Sequence, residues 1–249
     1  MPGPDIVLID RSRDPVSTMR LTQVMRALQT QIDRDFGMAW GERVQLGVAP
    51  AGTTPAGVWS ISIVDRAAEL GIHLDEDGNP SAAVNAGGDW TLAVSHVLLE
   101  MVANPLGQRF IEGQDITPHA PVRRVEYLVE VCDPCEVYHY EIDGVQVSDF
   151  VMPDYYDADA APGTAFDFLR RLRRPLQVPR GGYLTWRDPA DARWHQKRPD
   201  GAFSISSGLA DPNRNPREDR DRLLPGGRNR HDVPALRRAH LSPRARGTK

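Results

Sequence analysis

The sequence predicts an α+β protein. Three observations carry that expectation. Through Pro105, short apolar runs of strand length alternate with two helical stretches. Between about 125 and 196 the chain holds strand-like runs joined by turn signals, with no further long helical pattern. From Asp211 the apolar periodicity stops and Pro, Gly, Asn and Arg dominate, a composition that predicts a disordered tail. The expected organisation is one domain over 1–210, with a sheet-and-helix upper part at 5–105 and a β-rich lower part at 106–210, followed by a flexible basic tail at 211–249.

The first elements follow from periodicity. Asp-Ile-Val-Leu-Ile-Asp at 5–10 is an apolar run of buried-strand length. Ser17 or Thr18 caps a helix reaching about Phe36, because Leu21, Val24, Met25, Leu28, Ile32 and Phe36 recur at helical spacing. Strands are expected at 44–49 and 58–64, on either side of a Pro/Gly/Thr loop. Residues 65–80 carry turn signals such as Asp77-Gly78 and Asn79-Pro80, and 81–85 is expected as a short edge strand.

The stretch from Asp89 to Pro105 organises the chain. Asp89 or Thr91 can cap its start, and Pro105 ends it. Residues 92–103 are apolar on every side apart from Ser95, His96 and Glu100, as expected of a helix without a solvent face. His96 and Glu100 stand four apart and share a face. A carboxylate buried there is costly unless it meets a cation or a metal. Two readings satisfy it: a buried His96–Glu100 ion pair, or a metal ion held by both.

Beyond Pro105 the chain reads as loop to about 121, then as strands at 125–131, 136–142 and 145–151. The last two are joined by Asp143-Gly144, a dipeptide suited to a hairpin turn. An acidic loop at 153–162, a short helix at 166–172 and a turn and strand at 181–186 complete the pattern. Trp194-His195-Gln196 follows, with His195 a secondary candidate near the cleft.

Composition narrows the function. The chain is 40% hydrophobic and 26% charged, with a net charge of −4, which gives no reason to expect a nucleic-acid partner. Residues 212–249 hold eleven basic and four acidic side chains, so the rest is strongly acidic. Arg237, Arg238, Arg244 and Arg246 could meet an acidic partner. No apolar run approaches the ~20 residues of a membrane span, and no signal segment is seen, so the expectation is a cytoplasmic chain without membrane contact. Cys132 and Cys135 form a lone C-x-x-C with no second pair, and a strand rather than a helix follows. Structural cysteines are therefore expected over a redox pair.

Ser95-His96-Val97-Leu98-Leu99-Glu100, followed by Asn104-Pro105, resembles the signature of zincin-type zinc metallopeptidases, in the branch reading S-H-E-x-x-E-x-x-x-D-P. Glu130-Val131-Cys132-Asp133-Pro134-Cys135 is similar to the E-x-x-D-x-C element that follows in such sequences, and the order of elements upstream matches as well. The resemblance covers about 5–150. It implies a zincin-like mixed sheet with a central active-site helix, zinc as cofactor, and a peptide or protein as substrate or ligand. It makes His96 and Glu100 metal ligands and Glu130 the first choice for a third, with Asp133, Cys132, Cys135 and His119 behind it. In such a site zinc brings the pKa of a bound water to ~7, and a carboxylate beside the first ligand takes the proton. Here that base position is Val97, which holds no proton, and Asn104 stands where the branch has Asp. Both departures remove carboxylates. The expectation is weak or lost peptidase activity, with Glu126, Glu130 and Asp133 as substitute bases. The alternative is a non-catalytic structural or binding module of a larger assembly on the same scaffold.

Overall fold

The computed structural model describes residues 5–53, 56–66, 71–74 and 78–224. Helices and mixed sheets together make an α+β architecture. The first sheet has the order β2-β1-β3-β5-β4, with β1 Ile6–Asp10, β2 Leu46–Ala49, β3 Trp59–Val64, β4 Gly71–Leu74 and β5 Pro80–Asn85. All neighbours are parallel except β4, which runs antiparallel along β5. The edge is thus β4, inside the stretch that the turn signals marked as irregular. The segment expected as the edge, β5, lies between β3 and β4. A four-residue strand that opens on Gly71 and is followed by Asp75-Glu76-Asp77 offers too few alternating positions to register as a period.

Helix α1 (Thr18–Thr30) begins at Ser17, whose side chain accepts from Arg20 N. It widens into a π-helical turn at Gln31–Phe36 and ends in α2 (Gly37–Trp40). Its apolar stripe packs on the sheet face formed by Ile6, Leu8, Ile61, Ile63 and Val84, which also receives α3 (Trp90–Ala103). Every residue of α3 from Thr91 to Ala103 is buried, as its all-round apolar pattern requires. Its start carries no side-chain cap: Asp89 makes none, and Thr91 Oγ1 donates instead to Gln146 O at 3.1 Å.

The lower part is built from hairpins. β6 (Phe110–Gln114), β7 (Arg124–Leu128), β10 (Leu184–Asp188), β11 (Arg193–Lys197) and β12 (Phe203–Ile205) form an antiparallel sheet of order β12-β11-β10-β7-β6. β8 (His139–Ile142) and β9 (Val145–Ser148) pair across the Asp143-Gly144 turn, where both residues take positive φ. β6 falls in a stretch expected to be loop. Its Gly113 is required, because a Cβ there would stand 2.6 Å from Tyr127 Cε2. The helix expected at 166–172 is not formed. The Asp167 carboxylate instead accepts from Arg171 N (2.9 Å) and Leu172 N (2.7 Å), folding the segment around one side chain.

The boundary at 211 is corrected. Residues 211–224 are structured, and Pro216–Leu223 forms helix α4. Asn215 caps it, accepting from Arg217 N at 3.0 Å, with Pro216 at the first helical position. Asp219 accepts from Trp194 Nε1 at 2.8 Å, and Leu224 packs on Leu128 and Trp194. A run as charged as Pro-Arg-Glu-Asp-Arg-Asp-Arg-Leu reads as solvated tail, yet Arg217, Asp219 and Arg220 are buried. Arg237, Arg238, Arg244 and Arg246 lie outside the described residues. Among the described residues no helix is long and apolar enough to cross a membrane.

Candidate metal centre

Three segments meet at the His96 face of α3: the helix itself, the 129–136 loop after β7, and α4. Ser95 holds the helix in register. Its Oγ donates to Gln31 Oε1 (2.8 Å) and accepts from Ser148 N (2.8 Å), while Gln31 Nε2 donates to Ser148 O (2.8 Å). The buried hydroxyl therefore ties α3 to the π-turn and to β9.

Asn104 sets the loop. Its Oδ1 accepts from Arg109 N (2.8 Å), and its Nδ2 donates to Val129 O (3.1 Å) and Arg109 O (3.3 Å). An aspartate could not donate those last two bonds. The loop then turns at Asp133–Cys135, where Tyr183 N donates to Asp133 O at 3.1 Å. Gly182 makes that approach feasible, because a Cβ there would lie 2.4 Å from Pro134 O.

His96 Nε2 stands 3.0 Å from Glu100 Oε1 and 3.3 Å from Asp133 Oδ1, with all three residues at most 4% exposed. Glu100 Oε1 finds no donor with hydrogen-bond geometry among the described residues, so its contact with His96 is close but misaligned. One ligand atom each of His96, Glu100 and Cys132 lies within 4.8 Å of the others, and the same holds for Glu100, Glu130 and Asp133. Burial works against an imidazolium at His96. Glu100 and Asp133 outweigh it and hold the pKa well above the usual imidazole range. Burial, then Glu100, holds Asp133 well above the ordinary carboxylate range.

Glu130 is placed differently. Arg217 Nε lies 2.8 Å from its Oε1 and Arg220 Nη1 3.0 Å from its Oε2, and all three side chains are buried. Burial alone would raise this carboxyl, but the two guanidiniums drive it far below the usual range. Arg217 also donates to Asn104 O at 3.1 Å, and Arg220 contacts Asp221 at 2.7 Å. The charges thus pair internally, His96 with Glu100, and the two arginines with Glu130 and Asp221. Neither arginine was singled out from the sequence. The Asn215-Pro216 cap signal and the three-residue spacing of the arginines were the available clues.

No family model, curated protein or solved structure matches the chain.

The remaining candidates fall as follows. Val97 is fully buried in the main core, with no solvent on its side chain. Cys132 and Cys135 are buried free thiols, and burial pushes both well above the ordinary thiol range. Redox or nucleophilic chemistry needs the thiolate, so neither is activated. Glu126 is engaged on the lower sheet by Arg187 Nε at 2.9 Å, and His119 is exposed. His195 contacts Trp186 and Asp191 rather than the His96 cluster. A groove of about 590 Å³ lies along β6 and the 153–159 loop, and its lining includes none of the cluster residues.

A second buried polar pair adjoins the loop. Asp149 and Asp167 are both fully buried. Burial and then the neighbouring Asp167 carboxyl push Asp149 up to about 8. The folded chain therefore keeps a proton that the unfolded chain has released above ~4. Stability from this group is complete below ~4 and is lost as pH rises towards 8, by about 1.4 kcal/mol per pH unit. Urea midpoints from pH 5 to 9 should fall accordingly in wild type and flatten in Asp149→Asn. Parallel pH dependences in the two proteins would refute this.

Proposed function

We propose that the chain is a metallopeptidase-like protein that has lost peptidase activity and keeps a zincin-like scaffold as a structural or binding module. The observation that carries this reading is closure. His96, Glu100, Asp133 and Glu130 are at most 5% exposed, and Glu130 is held by the buried Arg217 and Arg220. A catalytic zinc site keeps an open position for water or substrate, whereas a structural site is closed by protein donors. The base position is Val97, which cannot move a proton.

The donors present fit zinc. Ligand atoms at about 2.0–2.2 Å from a tetrahedral zinc stand roughly 3.3–3.6 Å from one another. The 3.0 and 3.3 Å separations around His96 Nε2 are close to that edge. His96 and Glu100 would hold the ion, with Asp133 and Cys132 completing the set of four. Bound zinc would supply cross-linking of α3 to the 129–136 loop. Glu130, already bonded to two arginines, would serve as a neighbour rather than a ligand. The partners are proposed to be proteins or peptides, bound and not cleaved.

The test joins metal analysis to a hydrolysis assay on wild type and His96→Gln. The expected result is zinc uptake at this centre that His96→Gln abolishes, with no chelator-sensitive hydrolysis of protein or peptide in either. Hydrolysis by wild type that chelator and His96→Gln both remove would overturn the proposal. Zinc uptake unaffected by His96→Gln would assign the centre to its ion pairs alone, which is the second reading and is favoured by the internal pairing of charges.

A further inference from the structure

We propose that the β10–β11 hairpin is a second, independent site for a divalent transition-metal ion, formed by Asp188, Asp191 and His195. It shares no residue with the His96 centre and does not depend on the reading given above.

The hairpin register creates the site. Trp186 stands opposite His195, and Asp188 opposite Arg193. Side chains two apart on a strand share a face, so Asp188 lies on the face of Trp186, diagonal to His195. The four-residue loop then returns Asp191 over the same face. One ligand atom from each of Asp188, Asp191 and His195 lies within 4.8 Å of the others.

His195 is the independent observation that points to a ligand. It is 2% exposed, and its ring is fixed by stacking on Trp186 at 5.5 Å. Its Nε2 makes no hydrogen bond among the described residues, and the nearest charged atom, Asp191 Oδ2, is 3.6 Å away. Buried side-chain nitrogens seldom lack a partner. A separation of 3.6 Å is too long for a hydrogen bond and close to the spacing of two donors on one metal ion.

The surrounding charge agrees. Arg123 Nε meets Asp115 Oδ2 at 2.9 Å and Arg123 Nη2 meets Asp188 Oδ2 at 2.6 Å, with Asp191 also in its field. Three carboxylates face one guanidinium, an excess of two negative charges that a divalent ion would neutralise. The carboxylates are also pre-aimed: Asp188 Oδ1 accepts from Ala190 N (2.8 Å) and Asp191 Oδ1 from Arg193 N (2.9 Å). One imidazole with two carboxylates suits zinc, nickel or cobalt, whereas magnesium and calcium prefer oxygen alone. The Asp191 side chain is 38% exposed, which leaves the ion a route in.

Equilibrium dialysis against zinc, with the bound metal counted per chain, tests the proposal in wild type, Asp191→Asn and His96→Gln. Asp191→Asn is expected to bind one zinc fewer than wild type, or to bind it at least about tenfold more weakly. His96→Gln is expected to retain the hairpin ion. Equal zinc counts and affinities in wild type and Asp191→Asn would overturn the assignment. So would a His96→Gln chain, folded by circular dichroism, that binds no zinc; that result would leave the His96 centre standing alone.

Discussion

Replacing Arg220 with alanine is expected to destabilise the fold by about 3–5 kcal/mol, a large share of the roughly 5–15 kcal/mol that holds a domain folded. The arginine is fully buried and bonds one oxygen of Glu130, while Arg217 takes the other. Removing it strands part of a carboxylate charge where water cannot reach. Removing both partners should cost less, because the penalty comes mainly from the uncompensated charge. Chemical denaturation of Arg220→Ala, of Glu130→Gln and of the double variant Glu130→Gln, Arg220→Ala checks this. Losses that simply add across the pair, or an Arg220→Ala loss under 1 kcal/mol, would show that the cluster is not held by charge compensation.

Placing a carboxylate at position 97 is expected to create no peptidase. Val97→Glu is the substitution that the resemblance invites, since it supplies the residue the metallopeptidase pattern has after the histidine. Val97, however, is fully buried in the main apolar core, on a helix buried from Thr91 to Ala103. A glutamate there would enter hydrocarbon surroundings without a counter-charge on its own side. The expected result is a loss of several kcal/mol, read as a lowered Tm or as insoluble protein, with no peptide hydrolysis gained. A soluble Val97→Glu chain that cleaves peptides in a zinc-dependent way would reverse the proposal of a closed, silent centre.

Much of the upper part was legible because its information is periodic. The stripe of α1, the apolar run of β1 and the all-round burial of α3 each repeat a pattern often enough to be read. The four-residue spacing alone brought His96 and Glu100 together, since a helix fixes that geometry locally. What escaped is decided by a specific partner rather than by a repeating pattern, and for α4 that partner lies far along the chain. β4 and β6 are too short to show alternation, and each exists because a neighbouring strand offers it an edge. The 166–172 segment has helical composition, but the Asp167 carboxylate captures its amides. α4 looks like solvated tail until Asn215, Asp219, Arg217 and Arg220 each find a distant acceptor or donor. Glu130 was placed at the centre by its neighbours in sequence, whereas its binding state is decided by arginines that no local rule connects to it.

Those arginines follow Glu130 by 87 and 90 residues. During synthesis the acidic loop and the hydrophobic helix beneath it emerge long before the counter-charges that suit them. Until α4 is made, the nascent chain carries a carboxylate it cannot bury cheaply, so the interior should stay hydrated and loosely ordered. Helix α4 then works as a late latch: the buried centre reaches its native order only after residues 216–223 have been made, rather than building up evenly from Glu130 onward.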